Sequence, residues 1–260
     1  GSDATATVEA SSFTGNLATG ASADQGGGAI YVDGGDLAIS PTPTASASGR
    51  RASSSQSAGS AVNFFFDNRA TGASGSGGAI LVNGGTASID EATFSANRAQ
   101  RAGGAIEVTA PASEAAVSVD ITNTFFGGNV TGQAPGNGAG LHTTTGEIDL
   151  TMDSVSFDGN DAFSEGGGVW INTGTSFIAD GLAFSGNIAR GTASDNGGGG
   201  FFNNGGQASI RTSTFTGNQS LAEAAAGGGV LAVGGSTLIF QSLLTENYAS
   251  HGGAGASINP

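Results

Sequence analysis

Four aspartates, Asp149, Asp153, Asp158 and Asp161, lie close together in the chain, with His142 just before them and Asp120 upstream. Clustered carboxylates are the raw material of acid–base chemistry. A glycosidase needs two or three of them on one face of its scaffold. A polysaccharide lyase needs a base for a proton beside a uronate carboxyl, commonly helped by Arg or Lys and carboxylate-bound calcium. No arginine neighbours this stretch, and the chain contains no lysine.

Other chemistry has less support. The stretch GGGAIYVDGG, residues 26–35, has the glycines of a phosphate loop but not the Lys-Ser/Thr that such a loop requires. His142 and His251 have no histidine partner at metal-ligand spacing. Asp24 and Asp195 each stand two residues before a glycine cluster. A weak surface calcium site is the most they suggest, and no cofactor is expected. There is no cysteine, so neither disulfides nor thiolate metal sites can form. Asn129-Val130-Thr131 and Asn218-Gln219-Ser220 match the glycosylation sequon.

The net charge of −14 leaves no basic footprint for nucleic acid or for an anionic membrane. Glycine supplies 48 of 260 residues without a Gly-X-Y period, which excludes collagen. The chain is 37% apolar and includes 15 phenylalanines, enough for a core.

The elements that must position these residues recur. Phe-x-x-Asn occurs at Phe13–Asn16, Phe65–Asn68, Phe94–Asn97, Phe126–Asn129, Phe157–Asn160, Phe184–Asn187 and Phe215–Asn218, with a degenerate copy at Leu244–Asn247. Glycine clusters such as GGGAIY, GGAIL and GGGVW alternate with them. Copies are spaced by about 27 to 32 residues, except for the first interval of 52. Each unit reads as short apolar runs separated by turns such as Asn83-Gly84-Gly85, with no 3.6-residue period. Three short strands per turn, stacked about 4.8 Å apart, make a parallel β-helix of about eight coils. Like residues then stack. Ile30, Ile80, Ile106, Leu141, Val169, Phe201 and Val230 form an inward column, the motif phenylalanines form an aromatic column, and the asparagines form a hydrogen-bonded ladder. That alignment puts the acids on different columns and sides, so a non-enzyme is expected.

The alternating GGA[I/L/V] and FxxN motifs resemble the repeats of the chlamydial polymorphic outer-membrane proteins and of bacterial surface proteins with right-handed β-helix repeats. The resemblance covers nearly the whole chain. It implies a right-handed, single-stranded β-helix, an extracellular or cell-surface location, and the adhesive role of an autotransporter passenger. The partner would be a host or neighbouring cell-surface protein or glycan. Neither nucleic-acid binding nor membrane insertion is expected. The alternative reading is a carbohydrate-active β-helix that binds or cleaves an extracellular polysaccharide.

Residues 1–260 read as one domain. Gly1-Ser2 reads as a cloning remnant, and further coils or a cap are expected after Gly252–Pro260. Residues 41–60, PTPTASASGRRASSSQSAGS, read as an inserted flexible loop carrying Arg50 and Arg51, the only paired positive charges. A smaller insertion lies at 109–116. The residue after each inward Ile or Val should face outward, because strand side chains alternate. That row, Tyr31, Leu81, Glu107, His142, Trp170, Phe202 and Leu231, predicts an exposed apolar stripe. The binding residues expected are therefore Tyr31, Trp170 and Phe202, with Arg50 and Arg51; the competing reading has a loop covering the stripe.

Overall fold

The computed structural model describes residues 4–41, 62–112, 116–133, 135–193 and 195–259. It is an all-β solenoid built from four parallel sheets of eight strands each. In chain order, sheet I begins with Thr5–Glu9, sheet II with Ser12–Thr14, sheet III with Leu17–Ala18 and sheet IV with Ile30–Asp33. Every coil adds one strand to each sheet, so the crossover that parallel pairing demands is supplied by the winding itself. The fourth sheet is the difference from the three-strand expectation. Sheet III strands such as Arg98–Ala99 have only two residues, too few to carry an alternating pattern.

Sheets I and II follow period two. In Val117–Thr122 the buried residues Val117, Val119 and Ile121 alternate with exposed Ser118 and Asp120. The corner between sheets II and III needs one residue in the left-handed region. Asp67, Ala96 and Gly159 occupy it, with φ of 52°, 55° and 59°. A Cβ at Gly159 would meet nothing within 4 Å, so glycine there serves the backbone conformation alone.

Two ladders run the length of the core. The rings of Phe13, Phe65, Phe94, Phe126, Phe157, Phe184 and Phe215 stack at 4.5–5.0 Å, nearly parallel. Each such pair is worth about 0.5–1.5 kcal/mol beyond its burial. The asparagines satisfy one another. Asn129 Nδ2 donates to Asn160 Oδ1 at 2.9 Å and back to the Phe94 carbonyl at 3.0 Å. The Asn129 backbone N–H also donates to Asn160 Oδ1, at 3.1 Å. The same arrangement links Asn68, Asn97, Asn160, Asn187 and Asn218 to their neighbours. The buried amides of the ladder are thus paired with one another, as their burial requires. The main apolar cluster includes this phenylalanine column and the inward column of sheet IV.

Candidate functional site

Sheet IV pairs Tyr31, Leu81, Glu107, His142, Trp170, Phe202 and Leu231 in one row, beside the inward column. The row is nevertheless not an exposed stripe. Trp170 and Phe202 are 5% and 2% exposed, and Glu107 is 0% exposed. Only Tyr31 is open, at 46%. The loops that enter sheet IV fold back over the row, and the glycine clusters let them do so. A Cβ on Gly166, at φ 62°, would lie 2.8 Å from Trp170 Cβ, and one on Gly138 would lie 2.8 Å from His142 Cβ. The result is a second core, in which Trp170, Phe202, Ala226 and Leu231 cluster together.

Part of this second core is charged. Arg101 Nε donates to Ser76 Oγ at 2.8 Å, and Arg101 Nη2 pairs with Glu107 Oε1. The other Glu107 oxygen lies 3.0 Å from His142 Nδ1. His142 stacks on Trp170 at 4.4 Å, and Trp170 stacks on Phe202 at 5.8 Å. Trp170 Nε1 donates to Glu165 Oε2 at 2.9 Å, and Asn196 Nδ2 donates to Glu165 Oε1. A polar–aromatic chain thus pins several covering loops to sheet IV.

Burial pushes the Glu165 carboxyl above the usual carboxylate range; the Trp170 and Asn196 hydrogen bonds oppose the shift and nearby Asp195 adds to it. The folded state therefore holds this proton more tightly than the unfolded chain. Its contribution to stability is full below the ordinary value near 4.5 and is lost as pH rises through the raised value. The stability difference between wild type and Glu165→Gln, measured by urea denaturation from pH 4 to pH 8, is expected to show that downward step. A flat difference would contradict it.

One unit of the solenoid, from before the first FxxN motif to the end of the first sheet IV strand, is similar to a known repeat. The Chlamydia polymorphic membrane protein repeat matches residues 10–33. That stretch holds the first FxxN motif and the first glycine cluster, and the later coils carry the same pair of motifs. No curated protein and no solved structure matches the chain.

The coils scatter the acids. Asp120, Asp149 and Asp153 lie on sheet I, Asp158 on sheet II and Asp161 on sheet III, while His142 is inside the second core. Asp161 is held by Arg190 through two 2.7 Å hydrogen bonds, and Asp120 accepts one from Thr151. Among the described residues, no three His, Asp or Glu side chains converge as metal ligands. Asp24, Asp195 and His251 are exposed. Arg50 and Arg51, with nearly all of the 41–60 insertion, lie outside the described residues, as do residues 113–115 of the smaller one.

The apolar exposure lies elsewhere. Phe64, Phe66 and Phe125 are 37–40% exposed on sheet II, and Leu238 and Phe240 are 57% and 52% exposed on sheet I. Sequence reasoning missed them, although the signal was present. When Phe65 and Phe126 point inward, period two turns Phe64, Phe66 and Phe125 outward.

Proposed function

We propose that this chain is a non-catalytic β-helical stalk or adhesin segment of an exported cell-surface protein, working through its lateral faces. The match to a membrane-protein repeat supports export and surface location. The observation that carries the reading is the outward apolar side chains of sheets I and II. Exposed apolar patches mark contact surfaces, and here they sit on a rigid scaffold whose ladders are internal. The partner is a host or neighbouring cell-surface protein or glycan. Catalysis has no comparable support, because the acids are spread over three sheets.

The test is binding of beads coated with the chain to cultured cells, beside incubation with polysaccharides scored for new chain ends. Saturable cell binding, competed by soluble chain, with no new chain ends is the expected result. New chain ends lost in Asp153→Asn or Asp158→Asn would establish the carbohydrate-active alternative instead. Absence of cell binding would remove the adhesin reading.

A further inference from the structure

The outer face of sheet II carries a feature the ladders do not need. Phe64 and Phe66 lie two residues apart on one strand, their rings nearly parallel with centroids 5.9 Å apart. Phe64 pairs across to Thr93, and Thr93 to Phe125, so Phe64 and Phe125 belong to one column two coils apart, roughly 10 Å along the axis. The Phe125 ring occupies the space beside Gly127, where a Cβ would come within 2.4 Å of it. Glycine at that position makes room for the ring.

The surroundings of the rings are hydroxyls. Ser12 and Thr14 flank Phe64 and Phe66 on one side, 3.3 Å from each other, and Thr93 and Ser95 flank them on the other. In these two columns, from Ser12 and Thr14 through Phe125 and Gly127, no side chain is charged. Protein-binding hot spots are rich in Trp, Tyr and Arg, and this face has none of them. Anionic polymers are disfavoured by the net charge of −14.

We infer that the Phe64/Phe66/Phe125 platform binds a neutral polysaccharide lying along the solenoid axis. The electron-rich ring faces take the C–H face of a sugar ring, and the flanking serines and threonines, each both donor and acceptor, meet its hydroxyls. This rests on the reading that the chain works through its outer faces, and it names the ligand class for one of them.

The test is affinity electrophoresis in gels containing a mixed-linkage β-glucan, a galactomannan or, as the anionic control, polygalacturonate. Wild type should be retarded by at least one neutral polymer and not by polygalacturonate. Phe64→Ser/Phe125→Ser should weaken that retention roughly tenfold, from the loss of two stacking rings. Tyr248→Ser, an exposed ring at the far end of sheet III, should leave it unchanged. An unaltered urea midpoint in the Phe variant establishes that the fold is intact. No retention by the neutral polymers, equal retention by polygalacturonate, or retention indifferent to Phe64 and Phe125 would overturn the inference. Cell binding that persists without glycan retention would leave the adhesin reading standing while this inference fell.

Discussion

Asn160→Leu will lower the unfolding free energy by about 4 kcal/mol, read from the urea midpoint at constant slope. The substitution keeps the branching and the number of heavy atoms in the side chain but removes four hydrogen bonds. Asn160 Oδ1 accepts from the Asn129 backbone N–H and from Asn129 Nδ2, while Asn160 Nδ2 donates to the Phe126 carbonyl and to Asn187 Oδ1. All of these groups lie in the core, where water cannot replace the lost partners. Two stranded donors at about 1–3 kcal/mol each set the magnitude. Asn16 in the first coil is exposed. The same change there should cost about 0.5 kcal/mol or less, because its groups reach solvent. Equal effects at the two positions would show that the ladder is not the structural spine described here.

Glu107→Leu will cost about 3 kcal/mol, by leaving the Arg101 guanidinium without its anion in a largely dry site. Glu107 is fully buried, and the Arg101 side chain is 18% exposed, which places the effect at the lower end of the range for a broken buried pair. The double variant Arg101→Leu/Glu107→Leu should recover most of that loss, since no uncompensated charge remains. Additive losses in the double-mutant cycle would contradict a direct ion pair. Such a pair suits fixing loop register better than adding stability, and here it joins two covering loops to sheet IV.

The fold was legible because stacking repeats itself. Seven FxxN copies and their glycine clusters define the coil, and period two places Phe94 or Ile106 inside without further information. What escaped was local. Strands as short as Arg98–Ala99 leave no periodic trace. The alternation in sheet IV was read in the correct sense, with Ile106 and Val169 inside and Glu107 and Trp170 on the opposite side. That opposite side is not solvent, and of the two readings the one in which a loop covers the row is borne out. Gly138, Gly166, Gly198 and Gly227 bring the backbone down onto the side chain four residues later. One clue was available: a row holding Glu107 and His142 on adjacent coils, with Arg101 close by, describes a neutralised interior better than an open apolar stripe.

Trp170 is the only tryptophan in the chain and sits at the centre of that second core. Its fluorescence therefore reports directly whether the row on sheet IV is covered. Emission should be blue-shifted relative to free tryptophan and poorly quenched by acrylamide in the folded protein, becoming red-shifted and fully quenchable in urea. Water-like emission with free quenching in the native state would contradict the covered row, and would return Trp170 and Phe202 to the surface as the binding face.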